Sequence, residues 1–462
     1  MKISIIGAGS AVFSIRLIKD ICINSHFSGT EVMLMDIDEH RLEGIYGVCA
    51  KYIEETGTQV LLKKTMDREE ALKGSDFVLH VALDYGHKRL REGWKIAKNH
   101  GYRFGGSLHI MHDEAFWVNF YQLRLMEEVY EDMRRLCPEA WLLLVANPVQ
   151  AGVTYLCRKY PGAKVIGMCH GGYKAYDLIE AMGLDRKDCS FEVSGVNHFV
   201  WMNTFYYKGE DAFPLLDRWI GEGGNLKAIA EDPDPDHHIS SKLGPKAVDM
   251  YHRYGVFPIG DMASPGGGAW GWWYHTENDK YMEDPELWYE NHFKRGQRRL
   301  DAIWKAIEDP EIRVLDFFGS IPADEPMIPT IEALAFDVEQ KAILNIMNTG
   351  NFVPGIPADY ECECWAVVNK SGVHGLPMTP QPKAVIAMAL RDRIAPVELE
   401  LEALRTGDIH LLEQLVLSDP WTKSISQAQD LIRDILNMPC NAVMKEYFLK
   451  GAEYPVDEMQ KC

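Results

Sequence analysis

No stretch of this 462-residue chain reaches about eighteen consecutive apolar positions, so nothing in it reads as a membrane-spanning helix. Basic residues are in deficit: 48 Lys and Arg stand against 68 Asp and Glu. The resulting net charge of −20 repels phosphate backbones and excludes nucleic acid as the expected partner. The ten cysteines are too sparse and too irregularly spaced for the disulfide framework of a small secreted domain. A secretory leader is not expected either. Lys2 and the apolar residues after it fit one superficially, but Arg16, Lys19 and Asp20 interrupt the pattern and keep helical spacing. Reduced thiols and a cytoplasmic location are expected. There is no internal repeat, low-complexity tract or obvious linker. Hydrophobic residues at 47% and charged residues at 25% are ordinary for a globular enzyme, and the length suggests two or three domains.

What is present begins at the second residue. A short apolar strand over residues 2–6 runs into Gly7-Ala8-Gly9-Ser10, followed by an amphipathic stretch over residues 11–24. A tight turn with close backbone approach needs residues without a Cβ, and the N-terminus of the next helix offers free N–H groups to a pyrophosphate. Val12 stands where a third glycine of the dinucleotide fingerprint would fall, so the turn alone is weak. Support comes from residues 31–35, a second strand ending in Asp36, whose carboxylate suits the two ribose hydroxyls of NAD and repels a 2′-phosphate. Gly7, Gly9, Ser10 and Asp36 are therefore the expected NAD-binding residues.

Strand and helix signals alternate onward: helix 39–55, strand 60–63, helix 69–73, strand 77–82, helix 113–136, strand 141–146, helix 151–158 and strand 164–168. Nearly continuous apolar strands in such alternation predict an α/β fold, a Rossmann-type doubly wound parallel sheet complete by about residue 170. Residues 191–196 and 199–207 read as strands of a different sheet, and 361–366 as another strand far along the chain. The last hundred residues are mostly helical, over 382–405, 409–417 and 425–437. The expected division is an NAD-binding domain over 1–170 and an α+β domain over 171–462, which carries substrate, metal and oligomer contacts.

Four places have the composition of an active site. Cys169-His170-Gly171-Gly172 follows the sixth strand, at the carboxyl edge where ligands of open α/β sheets sit. Gly195-Val196-Asn197-His198 closes a later strand, and a thiolate with an imidazole suits a borderline divalent ion. Asn147-Pro148 follows the fifth strand, where an amide reaches a nicotinamide ribose or a substrate hydroxyl. Pro258-Ile259-Gly260-Asp261 places an acid before a loop over 263–273 that is rich in glycine and tryptophan. Each taken alone has a plain structural reading: a core thiol, a satisfied histidine, an Asn-Pro turn, a capping aspartate.

Taken in order, these motifs, with Phe13, Asp36-Ile37-Asp38 and the tail residues Arg391-Asp392-Arg393, Glu398, Glu400, Gly407-Asp408 and Asp419-Pro420, resemble the family 4 glycoside hydrolases over nearly the whole chain. The resemblance implies a second domain similar to the C-terminal domain of lactate and malate dehydrogenases. It also implies hydrolysis by NAD-dependent oxidation at C3, deprotonation at C2, elimination of the C1 substituent and addition of water, outside the usual two-carboxylate scheme. Carried over by position, Cys169 and His198 are ligands for Mn2+ or another divalent metal, Asp261 is the base, and Asn147 binds cofactor or substrate. Asn197 and His170 are expected to touch substrate. The implied substrate is a small α-linked hexoside or hexuronide, with glucosidase and glucuronidase types both open, and the implied assembly is a homodimer or homotetramer.

The chain departs from the family pattern in two places. Gly105-Gly106-Ser107 replaces the segment where relatives carry the general acid, leaving Asp113, Glu114, His109 and His112 as nearby substitutes, of which Asp113 is preferred. After Asp261, Met262-Ala263-Ser264-Pro265 replaces an arginine-containing segment. Gly171 matches the glucuronidase-type branch, for which Arg103 or Lys88 are candidate readers of a carboxylate. The rival reading is an NAD-dependent hydroxy-acid or polyol dehydrogenase, which would show net production of NADH.

Overall fold

The structure, a computed structural model, describes residues 1–10, 13–103, 108–112, 114–224, 245–260, 273, 285–321 and 326–450. Six strands form the expected parallel sheet: β1 (Lys2–Ile6), β2 (Glu31–Met35), β3 (Leu61–Thr65), β4 (Phe77–His80), β5 (Trp141–Leu144) and β6 (Val165–Gly167). Their spatial order is β3-β2-β1-β4-β5-β6, the doubly wound arrangement in which the strand order reverses beside β1. Ile3, Ile5, Leu34, Val78, Leu79, Leu142 and Leu143 are buried, because helices cover both faces. β3, at the edge, instead carries Lys63 and Lys64 and is half exposed, which discourages pairing with another chain.

The expected helices fall within a few residues of where the apolar spacing puts them. Glu39–Thr56 starts on Asp38, whose carboxylate accepts the Arg41 N–H, and stops at Gly57 in the left-handed conformation. Phe116–Leu136 and Val149–Lys159 flank β5. The helix His87–Asn99, with no counterpart in the sequence reading, packs with the C-terminal helices Ile409–Leu417 and Ile425–Leu436. Trp94, Trp117 and Leu431 lie in this second core.

Beyond β6 come β7 (Cys189–Val196), β8 (Phe199–Tyr207), β9 (Glu210–Asp211), β10 (Phe257–Ile259), β11 (Gln340–Met347), β12 (Glu361–Asn369) and β13 (Gly372–Gly375). The expectation that these strands build a different sheet is corrected: they extend the first one into a single sheet of 13 strands. β11, absent from the sequence reading, pairs with β6 at Asn345 and Gly167 and with β12 along its full length. β12 joins β7 at Glu363 and Gly195. Glycine makes room at the β6–β11 join and in the hairpin between β7 and β8. A Cβ on Gly167 would stand 2.7 Å from Asn345 Cβ, and one on Gly195 would stand 1.9 Å from the Phe199 carbonyl oxygen.

Candidate active site

The opening turn is built as a cradle with no room for side chains. A Cβ on Gly7, whose φ is +91°, would meet the Ala82 backbone at 2.5 Å, and one on Gly9 would meet Asp36 Oδ2 at 2.8 Å. Gly9 N–H donates to Asp36 Oδ2 at 2.7 Å and Asp38 N–H donates to Oδ1 at 2.9 Å. The Asp36 carboxylate is thus fixed at the end of β2, beside the turn that precedes the helix Phe13–Ile23. This glycine-lined space fits a pyrophosphate, and the adjoining acid fits a ribose diol. Ser10 and Asn147 lie at the same carboxyl edge, both partly exposed, with Asn147 joined to Pro148 by a cis peptide bond.

Cys169 and His198 follow β6 and β7, which β11 and β12 separate within the sheet. The chain bridges that gap by crossing over it. The 3-10 turn Gly171–Lys174 lies on β11 and β12, where a Cβ on Gly172 would stand 2.9 Å from Ile343 and 3.3 Å from Glu363 Oε1. Tyr173 Oη accepts the Ile343 N–H at 3.0 Å and anchors the turn. Gly171 then reaches Gly260, which follows β10; a Cβ on Gly260 would be 3.0 Å from Gly171 Cα. β10 pairs with β8 through Ile259 and Val200, two residues after His198. Cys169, the approach to Asp261 and the His198 turn are brought together at one end of the sheet.

The Cys169 sulfur accepts the Gly171 N–H at 3.2 Å, a bond that a thiolate accepts better than a thiol. His198 sits in the two-residue turn between β7 and β8 at φ +59°, and its Nδ1 is 2.7 Å from Glu114 Oε1. That carboxylate is buried and also takes both terminal nitrogens of Arg393, at 3.0 and 3.2 Å. Burial by itself would raise the Glu114 carboxyl, but the Arg393 guanidinium and then His198 outweigh it and hold the group well below the usual carboxylate range. With Nδ1 facing a carboxylate, Nε2 of His198 is left with the lone pair a metal ion requires. The donor set of thiolate sulfur and imidazole nitrogen fits a borderline divalent ion.

A layer of buried polar groups lies behind these ligands. Asn197 was expected to touch substrate; the structure turns it inward, fully buried, with its amide donating to Glu363 at 3.3 Å and its N–H to Glu361 at 3.2 Å. The Asn345 side-chain amide faces the same pair, 2.8 Å from Glu361 and 3.1 Å from Glu363. Burial, followed by the charge of Glu363, pushes the Glu361 carboxyl well above its ordinary range. His170 stays partly exposed and stacks on Tyr173 with ring centroids 6.3 Å apart.

Asp261 and Asp113, the expected base and acid, lie outside the described residues, as do Ser107 and all of the aromatic loop except Trp273, which donates to Asp249 at 3.4 Å. Of the other substitutes for the acid, Glu114 is committed to His198 and Arg393. His109 is buried with Nδ1 held 2.9 Å from Glu400. Arg103 lies over the Trp421 ring at 5.0 Å, and Lys88 is exposed at the start of its helix. In the sequence Arg393 stands only within a tail motif, and nothing in its spacing ties it to a residue 279 positions earlier.

The fold and this site define a dinucleotide-fold protein with a thiol and an imidazole at the carboxyl edge of its sheet. Residues 2–184 match the profile of the family 4 glycosyl hydrolases, and residues 193–422 match that of their C-terminal domain. The chain belongs to glycoside hydrolase family 4. It is 28% identical to an α-galactosidase of Bacillus subtilis, covering 93% of this chain and 95% of the relative. An α-glucosidase of Erwinia rhapontici is 24% identical, with 93% and 96% covered, and an α-galacturonidase of Thermoanaerobacter italicus is 24% identical, with 98% of each covered. A 6-phospho-α-glucosidase from gut microorganisms, solved with NAD and Mn2+, shares the fold at a TM-score of 0.80 and 18% identity, covering 96% of this chain and 98% of that one. A Thermotoga maritima 6-phospho-β-glucosidase shares it at 0.72 and 20%, with 96% and 99% covered.

Proposed function

We propose that this protein is an NAD- and divalent-metal-dependent α-glycosidase acting on unphosphorylated α-hexosides or α-hexuronides. The observation that carries the reading is the crossing of the Gly171–Lys174 turn over β11 and β12, which brings Cys169 to the strand end that leads to Asp261 and pairs beside His198. The relatives named α-glucosidase, α-galactosidase and α-galacturonidase support the α-linked substrate class. By the family resemblance, an asparagine after the thiol would imply phosphorylated sugars, and this chain has His170 there.

When bound, NAD supplies a reversible hydride acceptor and Mn2+ a Lewis acid toward sugar hydroxyls. The chain does the rest. Gly7 and Gly9 leave the space for the pyrophosphate, Ser10 lines it, and Asp36 holds the ribose. Cys169 and His198 hold the metal, and Asn147 orients the nicotinamide ribose or a sugar hydroxyl. Asp261 removes the C2 proton, and Asp113 is the proposed donor to the leaving oxygen. His170 flanks the sugar. Asn197 serves behind the site, holding the His198 turn against Glu361 and Glu363.

The test is a panel of 4-nitrophenyl α-glycosides (glucoside, galactoside, glucuronide and galacturonide) assayed with NAD, Mn2+ and reductant. Hydrolysis without net NADH, and exchange of a C2 deuterium label with solvent, are the expected results. Activity that survives complete removal of NAD, or full retention of the C2 label, contradicts the mechanism. Net NADH without release of nitrophenol would restore the dehydrogenase reading.

A further inference from the structure

The Glu114–Arg393 pair has no place in the proposed chemistry, yet it is the most completely buried ion pair near the site, with both side chains at 0% exposure. Its two residues lie 279 positions apart in the chain. Glu114 sits just before the helix Phe116–Leu136, and Arg393 lies in a π-helical turn, Leu390–Ile394, that interrupts the long helix over 383–406. Such turns insert a residue and rotate the following side chains, and they recur at functional sites. Here the rotation aims a guanidinium inward. Arg393 Nη1 donates to Glu114 Oε2 at 3.0 Å, while Nη2 donates to Glu114 Oε1 at 3.2 Å and to the Asn197 carbonyl at 2.9 Å.

One guanidinium therefore grips both the carboxylate that meets His198 Nδ1 and the peptide group immediately before His198. The second grip matters because His198 stands at φ +59°, a conformation uncommon outside glycine and one that relaxes unless its neighbours hold it. A buried ion pair is a poor way to gain stability, since desolvation offsets most of the attraction. It is a good way to fix one geometry.

We infer that Glu114 and Arg393 are positioning residues: Glu114 fixes the Nδ1–H tautomer of His198 and Arg393 fixes its turn, so that Nε2 is presented, lone pair outward, before any metal arrives. The inference rests on the reading of His198 as a metal ligand. Carboxylates in this relation to a ligating imidazole typically contribute roughly 10–100-fold to metal affinity.

The test is Mn2+ binding to the NAD-loaded protein, read from the loss of the free-ion EPR signal, for Glu114→Gln, Arg393→Lys and His198→Ala. Weakening of Mn2+ binding by roughly 10–100-fold in E114Q, with NAD affinity kept within about twofold, is expected. R393K keeps the charge but not the fork and is expected to fall between E114Q and the unsubstituted protein. Loss of Mn2+ in H198A with full retention in folded E114Q overturns the positioning role alone. Retention in H198A overturns the metal reading and this inference with it. If E114Q does not fold, 15N-histidine spectra of the unsubstituted metal-free protein decide, with His198 assigned by H198A: a protonated Nδ1 supports the inference and a protonated Nε2 overturns it.

Discussion

Gly171 and Gly260 pack backbone against backbone, so close that a Cβ on Gly260 would stand 3.0 Å from Gly171 Cα and 3.1 Å from its carbonyl oxygen. Gly260 also has a φ of +68°, where an L side chain costs about 1–2 kcal/mol. Gly260→Ala is expected to lower the unfolding free energy by about that amount and to reduce kcat far more, because it pushes the segment leading to Asp261 off the Cys169 turn. Gly171→Ala places its Cβ 3.2 Å from Cys169 Sγ and is expected to act on Mn2+ affinity instead. Denaturant unfolding and metal titration of the two variants separate the effects.

Asp36 offers both oxygens to backbone N–H groups, of Gly9 and Asp38, and still stands at the end of β2 for a ribose. Asp36→Asn keeps the shape and removes the charge. Hydrogen bonds to a charged group contribute about 1.5–3 kcal/mol, so NAD affinity is expected to drop by about 10–100-fold while the penalty against NADP shrinks. Titration calorimetry with both nucleotides checks this, and unchanged preference for NAD would refute the role.

The raised Glu361 carboxyl sets a direction for stability against pH. The folded protein binds the Glu361 proton more tightly than the unfolded chain does, so this contribution is complete below the usual carboxylate range and is lost as pH rises through the folded value. Glu361→Gln keeps a proton-bearing group at every pH. The variant is expected to gain stability relative to the unsubstituted protein as pH rises from 5 to 9, in urea unfolding at a series of pH values; a difference independent of pH contradicts the assignment.

Thiol chemistry should be selective. Among the described cysteines, burial pushes Cys137 up to about 11 and Cys157 up to about 12, while Cys362 and Cys364 are enclosed between strands. Cys169 is partly exposed and its sulfur already accepts an N–H. Iodoacetamide at neutral pH is expected to inactivate through Cys169, and Mn2+ at ten times its dissociation constant should slow the reaction by about elevenfold. Peptide mapping of the modified protein identifies the residue, and inactivation that Mn2+ does not slow contradicts the assignment.

The parallel sheet was legible because its strands are apolar runs bounded by turn residues, and each expected strand lies within a few residues of an observed one. The residues 340–347 were not, since Lys341 and Asn345 interrupt the apolar pattern there; Asn345 instead faces buried carboxylates. Glycine signals told which turns would be tight but not what they would touch. Gly195 serves a neighbour close in sequence, Phe199, whereas Gly7, Gly167 and Gly171 make room for segments about 75–180 residues away, a relation only the folded chain defines. The same limit hid the pairing of Arg393 with Glu114 and made Asn197 look like a cleft residue, because within one two-residue turn His198 meets Glu114 while the Asn197 amide meets Glu363.

Because β11 is inserted between β6 and β12, the carboxyl edge that bears the site belongs to one uninterrupted hydrogen-bonded ladder. Cutting the chain near residue 170 would not release a self-sufficient nucleotide-binding module; it would strip β6 of its neighbour and leave a bare apolar border open to self-association. For anyone grafting this scaffold, or splitting it into fragments for reassembly, the seam is therefore better sought in a surface loop than at the point where the parallel strands end.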